Sequence, residues 1–140
     1  MPKYETTTVW AGGHVGELCC GNGARISFSA PEGLHGQSGV LTPEDAFVGA
    51  LNMCFMLMFI WSVEKFNINL VSYKCTAEGL AEESLDRTSA FTRMVLRPRI
   101  EARNTEVGTI RRALKLAKKY SLILQSIKAK VAIEPEIIVS

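Results

Sequence analysis

The stretch from Ala46 to Val63 constrains this chain more than any other. It is apolar almost throughout and is interrupted only by Gly49, Asn52 and Ser62. The four residues before the apolar run, Thr42-Pro43-Glu44-Asp45, read as a helix start. Thr42 offers a capping hydroxyl, and Pro43 fits the first helical position, where a missing N–H costs nothing. Glu44 and Asp45 suit the positive end of the helix dipole. The pattern predicts one helix from residue 43 to about residue 66. A helix that is apolar on every side is expected to be buried on every side. The run falls marginally short of the roughly twenty apolar residues of a membrane span. Its flanks are β-type sequence and no second span exists, so the expectation is a core helix and not a membrane anchor.

The flanking sequence predicts strands. Thr6-Thr7-Thr8-Val9-Trp10 is a β-branched and aromatic run that Ala11-Gly12-Gly13 breaks. Glu17-Leu18-Cys19-Cys20 is short and precedes Gly21-Asn22-Gly23, a strong hairpin-turn signal. Arg25–Ser29 alternates, with Ile26 and Phe28 on one face. Residues 31 to 39, rich in Gly and Pro, read as loop. After the apolar helix, Leu70–Ala77 and Phe91–Ile100 read as strands joined by a turn across the acidic Glu78–Asp86 stretch. A second helix is expected from Thr105 to Tyr120, with Val107, Ile110, Leu114 and Ala117 at helical spacing. Its other face carries Arg111, Arg112, Lys115, Lys118 and Lys119, which read as a solvated surface. A short Ser121–Ser126 segment leads to a last strand, Ala129–Val139.

The 140 residues suit a single domain over residues 1–140 with a sizeable core. Hydrophobic residues at 47% and charged residues at 21% exclude a disordered chain, and a net charge of +2 gives no footprint for nucleic acid. The N-terminus has no apolar stretch behind its charge and does not read as a secretory signal. The four cysteines are therefore read as thiols in a reducing cytoplasm. None has CxxC spacing and the two histidines lie far apart, so no metal site is expected.

The order of strands, buried helix, two strands, amphipathic helix and closing strand resembles the OsmC/Ohr family. Three segments carry the resemblance: Thr42-Pro43-Glu44-Asp45-Ala46-Phe47 at the helix start, Gly49-Ala50-Leu51-Asn52-Met53-Cys54-Phe55 within it, and Ala117-Lys118-Lys119-Tyr120-Ser121 followed by Val131 to Ile137. The layout matches over nearly the whole chain. The resemblance implies an α+β fold with antiparallel sheets packed around a buried central helix, in an intertwined homodimer. It also implies a peroxidase that reduces organic hydroperoxides, with no cofactor and no metal. Carried over by position, Cys54 is the attacking thiol and Glu44 a carboxylate that organises it.

Two positions depart from the family's pattern. Ser121 stands where the two-thiol members place their second cysteine, and His14 stands where the early hairpin supplies an arginine. Ser121 cannot form a disulfide, and a neutral imidazole activates a thiolate less well than a guanidinium. The resemblance therefore implies a one-thiol reductase whose oxidised cysteine is recycled by an external thiol. The alternative is a non-peroxidatic relative that binds a small apolar or thiol-bearing ligand at the dimer interface. A third class is a structural protein with no site.

Read without the resemblance, Cys54 is a small core residue, and Glu44 is explained by the helix dipole alone. Cys19, Cys20 and Cys75 fall in strand-like segments. Trp10, Trp61, Met53, Met56 and Met58 read as core, or as the wall of an apolar pocket. Glu44 and Cys54 lie ten positions apart, about 15 Å along a straight helix. If they serve one site, the helix is broken between them or a second chain contributes one of them.

Overall fold

The β-branched run Thr6–Trp10 forms β1, Val15–Cys20 forms β2 and Arg25–Ser29 forms β3 in the computed structural model, which describes residues 1–140. The three strands make an antiparallel sheet in the order β1-β2-β3. Gly23, with φ 97°, supplies the left-handed backbone of the turn between β2 and β3. This sheet belongs to the first of two units, Met1–Phe47; the second is Val48–Ser140.

Helix α1 runs without a break from Pro43 to Lys65. It starts as its sequence dictates. The Asp45 N–H donates to Thr42 Oγ1 at 3.0 Å, and that hydroxyl donates to Asp45 Oδ2 at 3.0 Å. In the second unit, Leu51, Phe55 and Phe59 on one side of α1 are fully buried, and Val63 nearly so. The opposite side is bare within one chain: Met53 is 63%, Leu57 54% and Trp61 63% exposed. The expectation of burial on every side therefore holds for only half of this helix, because the second unit lays one sheet layer against it.

That layer is a four-stranded sheet of β4 (Asn69–Glu83), β5 (Ser89–Arg103), β6 (Lys130–Ile133) and β7 (Glu136–Val139). Strands β4 and β5 pair antiparallel along their whole length. The acidic stretch expected as a turn is mostly strand: Glu82 pairs with Ala90 and Glu83 with Ser89, and only residues 84–88 turn. Cross-strand hydrogen bonding overrides the weak local preference of those residues.

On the other side of β5, β6 and β7 both run parallel to it, so this sheet is mixed. The single closing strand expected from Ala129 to Val139 is two strands, separated around Pro135. Strand β6 pairs with residues 93–96 and β7 with residues 99–102. The gap falls beside Pro98, whose missing N–H could not serve a continuous ladder.

Helix α2 (Val107–Tyr120) buries Ile110, Ala113, Leu114 and Ala117, and α3 (Leu122–Ser126) follows at once. The core gathers Leu51, Phe55 and Phe59 with Met94, Leu96 and Ile100 of β5 and the buried residues of α2. Gly79 allows the close packing of β4 there, since a Cβ at that position would stand 2.8 Å from Val48 Cγ2 and 2.9 Å from Phe91.

Candidate functional site

Cys54 lies on α1, half-buried, and faces the junction of α2 and α3. Ser121 sits at that junction with no exposed surface. Its Oγ lies 3.1 Å from Cys54 Sγ, with the hydroxyl as donor. The same Oγ accepts the Leu124 N–H at 3.2 Å and so caps α3. The Ser121 backbone N–H donates to the Ala117 carbonyl at 3.1 Å, and its carbonyl accepts the Gln125 N–H at 3.0 Å. Two residues 67 positions apart in sequence are thus in contact, one carrying a sulfur and the other an oxygen.

The other thiols are elsewhere. Asn52 Nδ2 donates to the Cys75 carbonyl at 3.1 Å. Asn52 and Cys54 are two positions apart, which is about 200° around the helix. The Cys75 backbone therefore lies against the face of α1 opposite to the one that carries Cys54. Burial pushes the Cys75 thiol up, offset in part by the Tyr73 phenol and the Arg97 backbone. Tyr73 stacks on Phe59 with ring centroids 5.4 Å apart, and its hydroxyl is buried beside the Cys75 thiol. Burial raises its pKa, and the neighbouring Cys75 adds to that.

Glu44 is exposed in the first turn of α1, in the N-terminal unit. His14 is also in that unit, exposed, and stacks on His35 with centroids 5.4 Å apart. It lines a cavity of about 370 Å³ together with Trp10, Gly13, Phe28 and Pro43. Cys19 and Cys20 are half-buried on β2, and all four cysteines are free.

Of the aromatic and methionine residues expected in the core, Trp10, Trp61, Met53 and Met56 are exposed and Met58 is partly buried. Trp10 closes a local turn instead, donating from Nε1 to the Gly13 carbonyl at 2.9 Å. In the second unit, Met58, Trp61, Ser62, Lys65, Leu116 and Tyr120 line a cavity of about 450 Å³. Met58, Trp61 and Lys65 follow Cys54 at intervals of four, seven and eleven positions, which is one face of α1. The cavity and the thiol thus share a helix face. Met58 and Trp61 thus wall a cavity, the alternative the sequence offered for them, while Lys65, Leu116 and Tyr120 were not anticipated there.

The mixed α+β fold, with its sheets and one long apolar helix, is an architecture shared by solved OsmC-like structures. The chain belongs to the OsmC-like family, whose model matches residues 36–136. Its structure is similar to an OsmC-like protein of unknown function from Vibrio cholerae, with a TM-score of 0.88, 22% identity, and 96% of this chain and 99% of that one covered. It is also similar to an OsmC-like protein from Mycoplasma pneumoniae, with a TM-score of 0.84, 14% identity and 98% of both chains covered. A third is an organic hydroperoxide resistance protein from Elizabethkingia anophelis, with a TM-score of 0.73, 13% identity, and 100% and 98% covered. No functionally curated protein matches the sequence.

Proposed function

We propose that this chain is a thiol-dependent organic hydroperoxide reductase of a reducing cytoplasm, working with one reactive cysteine, Cys54. The observation that carries this reading is the Cys54–Ser121 contact. On the family resemblance these are the positions of the two cysteines of two-thiol members, and here an oxygen lies 3.1 Å from the one sulfur. The Cys54 thiolate attacks the outer peroxide oxygen, the O–O bond breaks, and the alcohol leaves with a proton. Sulfur is oxidised by two electrons to the sulfenic acid and the peroxide is reduced by two. An external thiol condenses with the sulfenic acid, releasing water and forming a mixed disulfide. A second external thiol displaces Cys54 and carries the disulfide away.

The test is a brief exposure to an organic hydroperoxide, followed by intact-mass analysis and trapping with a sulfenic-acid reagent. The expected result is one added oxygen, mapped to Cys54 and absent from Cys54→Ser. Labelling confined to Cys19, Cys20 or Cys75 would sink the reading. A second reading is favoured by the cavity on the Cys54 face of α1: the binding of a small apolar or thiol-bearing ligand without turnover. In that case the thiol stays unoxidised, and a bound ligand is seen by native mass spectrometry.

We further propose a homodimer, with Glu44 and His14 completing the thiol site from a second copy. Helix α1 is unbroken, so Glu44 stands about 15 Å along it from Cys54. The bare side of α1, with Met53, Leu57 and Trp61, is the kind of apolar patch that marks an interface. Light scattering at micromolar concentration is expected to give twice the chain mass. A well-folded monomer there would overturn this arrangement.

A further inference from the structure

We infer that Ser121 is a catalytic residue, its hydroxyl being the hydrogen-bond donor that favours the thiolate form of Cys54. This rests on the reading of Cys54 as the attacking thiol. On sequence alone Ser121 is only a lost cysteine. In the structure it is fully buried and its hydroxyl has a fixed assignment. A hydroxyl has one proton and two lone pairs. One lone pair takes the Leu124 N–H at 3.2 Å, and the proton meets Cys54 Sγ at 3.1 Å. The backbone is held by the Ser121 N–H and carbonyl bonds to Ala117 and Gln125, and the Leu124 N–H holds the side chain itself. The end of α2 and the start of α3 together aim this hydroxyl.

The chemistry follows from the direction of the bond. A donor facing a sulfur gains little from a neutral thiol and more from an anion, since charge-assisted hydrogen bonds are about twice as strong as neutral ones. The contact therefore favours the deprotonated sulfur, which is the nucleophile. A buried hydroxyl left without an acceptor carries a desolvation cost, and here the sulfur removes it. Cys75 differs: the Tyr73 phenol faces its thiol too, but burial outweighs that contact and pushes the thiol up.

The test compares wild type with Ser121→Ala in two measurements. One is the pH profile of Cys54 alkylation, read on its own peptide, and the other is the second-order rate with an organic hydroperoxide. The alanine variant is expected to shift the alkylation profile to higher pH and to slow both reactions near neutrality about tenfold, as for the loss of a hydrogen bond to a charged group. Ser121→Thr keeps the hydroxyl and the cap and is expected to restore both. If the alanine variant fails to fold, Ser121→Cys in its reduced form substitutes for it, because S–H is a weak donor. Superimposable profiles for wild type and the donor-less variant would overturn the inference, even with the wild type active on hydroperoxide. A wild type inert to hydroperoxide whose alkylation profile still shifts in the variant would uphold the hydrogen bond and remove the peroxidase reading.

Discussion

Oxidising Ser121→Cys with one equivalent of organic hydroperoxide is expected to yield a disulfide between the introduced thiol and Cys54. The two side chains already touch, with Oγ and Sγ 3.1 Å apart, and a bridge needs Cα atoms within about 7 Å. The S–S bond would be about 2 Å long, so only a small contraction is required. It would close a loop of 67 residues, and the chain-entropy model gives such a loop about 4 kcal/mol of stabilisation. The oxidised variant should therefore unfold at a clearly higher denaturant midpoint than the same variant reduced. Peptide mapping under non-reducing conditions checks the bond. An introduced cysteine that stays free while Cys54 remains a trappable sulfenic acid would show that the two positions do not meet in solution.

The second large effect is expected from Phe59→Ala. Phe59 has no exposed surface, stacks on Tyr73 with centroids 5.4 Å apart, and lies at the centre of the core that α1 shares with β5 and α2. Emptying a site of this kind costs about 3–5 kcal/mol, the lost transfer energy plus a cavity. Set against a typical total of about 5–15 kcal/mol, that is a large share of the stability. Urea titration followed by circular dichroism measures it. A loss below about 1 kcal/mol would mean that the core does not depend on this face of α1.

Much of the fold is legible in the sequence where local chemistry and tertiary demand agree. Thr42-Pro43 starts α1 where its capping logic says it should, and Thr6–Trp10 and Arg25–Ser29 are strands with the bounds their patterns predict. The misreadings occur where partners decide. The acidic end of β4 has no strand preference of its own and extends because β5 lies beside it. The closing strand divides at Pro135 because of a gap beside Pro98 on a different strand, which no local window contains. The exposure of Trp61 and Met53 could not be read from hydrophobicity, because an all-apolar helix does not say which side its own chain will cover.

The site was half legible. Cys54 stands out on its apolar helix, and the family pattern assigns Ser121 its place. The direction of the Ser121 hydroxyl was not legible. Its place depends on the Leu124 N–H, which binds the same oxygen that meets the sulfur. The opposite placement of Cys75 follows from one Asn52 hydrogen bond that only the folded chain reveals.

The junction at Ser121 also bears on how such proteins diverge. Serine and cysteine differ by one atom, so on the proposed function exchanging them there swaps a chemistry that closes a bridge for one that waits on a partner. The exchange is not neutral for the scaffold. Sulfur is a poor hydrogen-bond acceptor, so a lineage adopting cysteine would weaken the cap of α3 by about 1 kcal/mol. A lineage adopting serine gains that cap and gives up its internal oxidant sink. Drift at this one residue is therefore a trade between the stability of a helix start and autonomy in redox turnover.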